Sequence, residues 1–157
     1  MTKIVKQILI LNLIFFGLAN LLKLPVMNDF ILYTLQSKDF NPLQFVGYMF
    51  LHGSITHIVF NMIGLVVFGC ELERLYGSRK FLQIYLLSGI FAGIFHMIFI
   101  NSPAIGASGA VWCLMVLYTL NFPEHIFNIY FVIPAKIKYI VGVYFIVELF
   151  LFITASS

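Results

Sequence analysis

Charge is scarce in this sequence. Only 10% of its 157 residues are Asp, Glu, Lys or Arg, 62% are hydrophobic, and the mean hydropathy is +1.03. Those values lie far outside the soluble globular range and imply an integral membrane protein short enough for one domain over residues 1–157. The nine Lys and Arg never cluster in fours, so the net charge of +3 does not mark a nucleic-acid surface; it reads as a set of topology marks. Cysteine occurs only as Cys70 and Cys113, both inside apolar segments and without metal-ligand spacing. They read as reduced packing residues, and neither a metal nor a cofactor is implied. There is one Trp, but 18 Phe and 8 Tyr supply bulky apolar surface of the kind lipid-facing helices can expose. No Ala-x-Ala cleavage pattern interrupts the apolar stretch that follows Lys3 and Lys6 and continues to Leu22, which favours a retained first helix over a signal peptide. Internal repeats and low-complexity segments are also lacking.

What is present is a series of apolar runs. A spanning helix needs about 20 apolar residues. Residues 4–22 make a first, and residues 23–43 break the pattern with Pro25, Asn28, Asp29, Lys38, Asp39, Asn41 and Pro42. Within that loop FILYTLQ (30–36) is too short to span and is expected at the headgroup level. A second span is expected from about Ser54 to Leu75, closed by ELERLYGSRK (71–80), in which Gly77 and Ser78 supply a turn. Residues 81–123 carry no Asp, Glu, Lys or Arg and are long enough for two helices, about 81–99 and 106–122, joined at Asn101, Ser102 and Pro103. A last span covers about 134–154. The fold class is therefore all-α, a polytopic transmembrane bundle of five spans. With the N-terminus cytoplasmic, Lys3, Lys6, Arg74, Arg79, Lys80, Lys136 and Lys138 fall inside, leaving only Lys23 and Lys38 outside.

Polar residues inside such spans are costly and are functional candidates by default. In HGSITHIVFN (52–61), His57 and Asn61 project from one helix face about one turn, ~6 Å, apart, with His52 near the helix start. Such a pair equally suits hydrogen bonding between helices. Gly106, Ser108 and Gly109 in IGASGAV (105–111) match a small-residue packing pattern. They also open a helix directly after a turn, where backbone N–H groups lack intrahelical partners and a serine oxygen would stand beside anion-stabilising donors. The predicted depths of His57, Asn61 and Ser108 agree, so the three can line one water-filled cavity.

Taken together, FLHGSITHIVFN (50–61), the ELERLYGSRK stretch with Glu73, Arg74 and Gly77, and GASGA (106–110) resemble the rhomboid intramembrane serine proteases of bacterial type. The resemblance runs from about Pro42 to the end of the sequence. It implies a helical-bundle protease of the bacterial inner membrane that cuts transmembrane substrates near their membrane boundary. By the same resemblance Ser108 is the nucleophile, His57 and Asn61 stabilise the oxyanion with the Ser108 N–H, and His52, Gly106 and Gly109 are candidates for the substrate-binding surface. Glu73 and Arg74 take a structural role at the cytoplasmic end. The partners implied are transmembrane protein substrates and the lipid bilayer.

One departure bears on activity. The family's catalytic base is a histidine on a sixth, glycine-rich span; this sequence stops at ITASS after the fifth, and no residue in it aligns with that base. His96 and His125 match no base position. A serine hydroxyl without a base is a poor nucleophile, so the rival reading is a catalytically inactive rhomboid-like protein that binds transmembrane helices. Glu148, ~15 Å into the last span, is read as a neutral, hydrogen-bonded side chain in preference to a gate or proton site.

Overall fold

A computed structural model describes the backbone of residues 1–100, 102–129 and 133–155, with the side chains of 128, 129, 133 and 147–155 left outside that description. Six helices and one hairpin occur in it: α1 (Lys3–Phe16), α2 (Gln44–Gly47), α3 (Ile55–Tyr76), α4 (Ser78–Phe99), α5 (Ser108–Asn121), β1 (Ile126–Ile129), β2 (Ile133–Lys136) and α6 (Ile137–Ala155). The chain is an integral, multi-pass membrane protein with a helical fold. Two compact units make it up, Met1–Leu114 and Met115–Ser157, and their boundary falls within α5.

In the first unit, α1 continues as a π turn over Gly17–Leu21, and this 19-residue element is, among the described residues, one of three long and apolar enough to cross a membrane. The other two are α3 and α4, each of 22 residues. Their large apolar side chains split by face. Leu65, Leu72, Phe81 and Tyr85 are fully buried between helices, whereas Phe60, Phe91 and Ile98 are two-thirds exposed, an arrangement that is costly in water and natural in lipid. α3 begins where the cap signal puts it: Ser54 is extended and its Oγ accepts the His57 N–H at 3.1 Å. It ends at Gly77, whose φ of +79° suits glycine and breaks the helix. Gly77 makes that turn alone; Ser78, expected as its second residue, is already the first residue of α4.

The polar loop between α1 and α3 folds back on the helices. Pro25–Phe30 forms a 3₁₀ turn, α2 packs against α4, and a second 3₁₀ turn covers Tyr48–Phe50. The FILYTLQ stretch is not helical. Leu32 is buried against Gly93 of α4, and its backbone exchanges two hydrogen bonds (3.0 and 2.9 Å) with Ala104 in the approach to α5. Ser102 and Pro103 lie in the non-helical connection between α4 and α5; Asn101 lies outside the described residues.

The fourth span lies within two residues of its expected bounds but is short for a crossing, and the fifth starts later than expected. α5 has 14 residues, ~21 Å of helix against the ~30 Å of a typical hydrocarbon core. Residues 134–136, expected inside the last span, belong instead to β2, which pairs antiparallel with β1, Ile126 opposite Lys136. Pro134 lacks the N–H a helix interior would use, and α6 starts only at Ile137. Within this second unit, Tyr118 is buried, hydrogen-bonds its hydroxyl to His125 Nδ1 and packs its ring near Phe122 and Phe127. Lys136 and Lys138 both pair with Glu124, and their hydrogen bonds hold that exposed carboxyl down to about 2. The Glu148 side chain lies outside the described residues.

Candidate active site

All six residues singled out in the sequence lie in the first unit. Ser54 starts α3 and sets its first turn, which places His57 half-buried on the face that also carries Asn61. Asn61, buried one turn further along, donates from Nδ2 to the His57 carbonyl at 3.0 Å. The bond runs to the His57 backbone; it is the spacing of four that puts the two side chains on one face of α3.

Ser108 is the first residue of α5 and is exposed. Its neighbourhood depends on Gly106, which has a φ of +119°, a conformation L side chains rarely adopt. The Gly106 N–H donates to the Tyr48 carbonyl at 2.8 Å, so the loop before α5 is fastened to the turn before α3. A Cβ on Gly106 would lie 2.7 Å from both Cε1 and Nε2 of His57 and 3.8 Å from Ser108 Oγ. His57 and the serine oxygen therefore flank the same glycine. Those two legs, 2.7 and 3.8 Å laid end to end, bound the Nε2 to Oγ separation at about 6.5 Å. Helix α5 begins here with its first N–H groups free of intrahelical partners, so the serine oxygen stands at the positive end of the helix dipole.

Gly109 has a different environment. A Cβ there would collide with the Ala92 side chain of α4 and come within 3.9 Å of the Tyr48 hydroxyl. Its lack of a side chain brings α5 close to α4. The same tyrosine donates from its hydroxyl to the Gly89 carbonyl at 2.7 Å; burial, and to a lesser degree the Cys113 thiol, pushes its pKa up to about 12, so the hydroxyl stays protonated as a donor.

His52 is 1% exposed and sets its ring edge-on to that of His57, centroids 4.8 Å apart. Neither of its ring nitrogens has a partner in good hydrogen-bond geometry among the described residues. Burial first, and the neighbouring His57 second, pull its pKa down to about 4 against a smaller opposing pull from the Phe50 backbone. At neutral pH it is an uncharged ring packed behind His57. His52 also lines a cavity of about 280 Å³, together with Asn20, Met27, Ile31, Leu51 and Ile105 among others.

The opposite end of α3 is built from Glu73. Its carboxylate is buried and accepts the Ile4 N–H (3.0 and 3.1 Å, one to each oxygen), the Val5 N–H (3.0 Å) and the Ser78 hydroxyl (2.6 Å). The carboxylate thus caps the first turn of α1 and ties three helices together. Arg74 makes an exposed pair with Glu71. The remaining histidines have local partners: His96 Nε2 meets the Ser102 carbonyl at 3.0 Å, and His125 bonds Tyr118.

Two contributors escaped the sequence reading. Tyr48 acts mainly through its backbone carbonyl, which no side-chain pattern reveals. Asn20 donates from Nδ2 to the His52 carbonyl at 2.9 Å; a lone amide within an apolar run was the signal that could have found it.

The rhomboid domain family is matched over residues 40–157, a region that takes in His52, His57, Asn61, Gly106, Ser108 and Gly109 but not Asn20 or the start of α1. Rhomboid protease GluP of Bacillus subtilis (strain 168) is 46% identical over 68 residues, 43% of this chain and 13% of that protein. Rhomboid protease AarA of Providencia stuartii is 39% identical over 84 residues, 54% of this chain and 25% of that protein. RHOMBOID-like protein 12, mitochondrial, of Arabidopsis thaliana is 29% identical over 151 residues, 84% of this chain and 45% of that protein. The chain spans less than half the length of each of these relatives.

Proposed function

This chain belongs to the rhomboid family, and from that premise we propose that it serves as an intramembrane serine endopeptidase with Ser108 as nucleophile and His57 and Asn61 as oxyanion stabilisers. The supporting observation is the seam at Gly106, where the His57 ring and the Ser108 hydroxyl flank one side-chain-free residue at a helix N-terminus. The Tyr48 carbonyl holds the Gly106 backbone in that conformation, and the missing side chain lets the His57 ring come up against it close to the nucleophile.

In this mechanism Ser108 Oγ attacks the scissile carbonyl carbon, and its proton passes to a base. By the family pattern that base is a histidine on a further span, which no position of these 157 residues matches. The carbonyl oxygen becomes an oxyanion facing the His57 ring, the Asn61 amide and the Ser108 N–H. Collapse expels the amine, and water then hydrolyses the acyl-enzyme. The substrates are transmembrane helices with helix-weakening small residues, because an intact helix keeps its carbonyls in internal hydrogen bonds. His52, Gly106 and the surface around them are the proposed substrate-contacting groups, with Gly109 setting how closely α5 approaches. The family match runs through both units, which supports reading residues 1–157 as one rhomboid-like domain. The lysine and arginine distribution supports a cytoplasmic N-terminus, and the likeness to the two bacterial rhomboid proteases supports a bacterial inner membrane.

A fluorophosphonate probe tests the reading. The full-length protein in detergent is expected to be labelled on residue 108 and the Ser108→Ala variant not at all. Equal labelling of the two would remove Ser108 from the chemistry and favour the rival, a non-catalytic binder of transmembrane helices.

A further inference from the structure

The end of α1 lies outside the region the family match covers, yet it touches the candidate site. α1 does not run on as a regular α-helix: from Gly17 to Leu21 it widens into a π turn, closed by the Leu22 N–H on the Gly17 carbonyl at 3.0 Å, and Lys23 follows with a positive φ of 50°. A one-residue π insertion rotates every later side chain by about 100° relative to an uninterrupted α-helix, and such turns recur at functional sites. Asn20 lies within that turn. Its Nδ2 forks between the Phe16 carbonyl of its own helix (3.3 Å) and the His52 carbonyl 32 residues away (2.9 Å).

His52 is where the chain turns into α3. Leu51 and Ser54 on either side are extended, Gly53 between them is exposed, and Ser54 is the cap whose oxygen holds the His57 N–H. Two contacts therefore locate His57 from behind: the Asn20 amide on the His52 carbonyl, and the His52 ring on the His57 ring. On the other side His57 meets Gly106. A shift in the His52 peptide would move the His57 ring against that glycine, where no side chain buffers the change.

We propose that Asn20 is a positioning residue of the active site: through the π turn of α1 it anchors the His52 carbonyl and thereby holds His57 against Gly106 and Ser108. The inference rests on the assignment of Ser108 and His57 made above. Asn20 reaches no reacting atom; it acts on the oxyanion group through the backbone that carries it.

The test is Asn20→Asp in the full-length protein, an isosteric change that removes the donor and sets a carboxylate against the carbonyl. Labelling of Ser108 by the fluorophosphonate should slow roughly ten- to a hundredfold, the scale of an ångström-sized misplacement. The half-saturating probe concentration should hold, and hydrogen exchange at residues 53–58 should quicken. Asn12→Leu is the control, since Asn12 is buried in the same helix and donates to the Ile8 carbonyl. It should lower stability without slowing labelling. Should Asn20→Asp not fold, Asn20→Ser carries the same expectation. If wild type is labelled on Ser108 and Asn20→Asp keeps the wild-type rate, Asn20 does not position the site, although the site stands. Slowing by Asn12→Leu to the same degree would overturn the inference too, by reducing it to general loosening of α1. Equal labelling of wild type and Ser108→Ala would sink the site itself and the catalytic purpose of Asn20 with it.

Discussion

The two ends of α3 bury polar groups under opposite rules. At the C-terminal end, Glu73 meets two backbone N–H groups of α1 and the Ser78 hydroxyl, and a buried carboxylate so surrounded joins helices firmly. At the N-terminal end, His52 is as deeply buried but its ring nitrogens lack good partners among the described residues, His57 is half-buried, and Ser108 is exposed two residues after a glycine in a conformation other residues rarely adopt. Unsatisfied capacity costs stability where it sits and supplies donors to whatever enters. The same helix is thus fastened at one end and left reactive at the other.

The largest test of that contrast is Gly106→Ala. The added methyl would sit 2.7 Å from the His57 ring on a backbone that disfavours it. Labelling of Ser108 should fall roughly a hundredfold or more, the effect of displacing an oxyanion donor, with a much smaller change in unfolding midpoint. If stability collapses while residual labelling stays fast, the N-terminal end is structural and the contrast fails.

Glu73→Ala should show the reverse. Losing a buried carboxylate strands the Ile4 and Val5 N–H groups, and denaturant unfolding should reveal about 3 kcal/mol of lost stability. Labelling by the protein that remains folded should be near the wild-type rate. A large loss of labelling in the folded fraction would mean that the two ends are coupled through the helix.

A smaller and pH-dependent difference sharpens the comparison. The pKa of His52 is about 4 in the folded chain, below the ~6.5 of an unfolded histidine. The unfolded chain therefore takes up the proton first as pH falls. The stability that neutral His52 confers is complete above about 6.5 and is lost progressively down to about 4, on the order of 3 kcal/mol in all. A stability profile measured across that window should flatten in His52→Phe; an unchanged profile would show that another group carries the loss.

Local signals carried much of this architecture. The Ser54 cap, the Gly77 break and the spacing of His57 and Asn61 are contained in a few consecutive residues, and α3 and α4 begin and end within three residues of expectation. The hairpin at 126–136 was not legible. Its apolar residues read as loop and helix entry, because strand pairing joins residues four to ten apart and has no single-residue signature. The bounds of α5, by contrast, were legible: 108–121 against an expected 106–122, with Pro123 just past its end.

By itself, the amino-acid order determined that this chain lives in a membrane as a set of apolar helices, and that one serine, two histidines and an asparagine stand among them at telling intervals. Those facts depend on composition and on periodicities within single helices. Only the tertiary structure decided that Gly106 is the point where the His57 ring meets Ser108, that a backbone carbonyl of Tyr48 holds the glycine there, and that Asn20 reaches across from α1 to the turn before α3. Contacts made by backbone atoms, or by the absence of a side chain, bring together segments dozens of residues apart, and no pattern within either segment announces them.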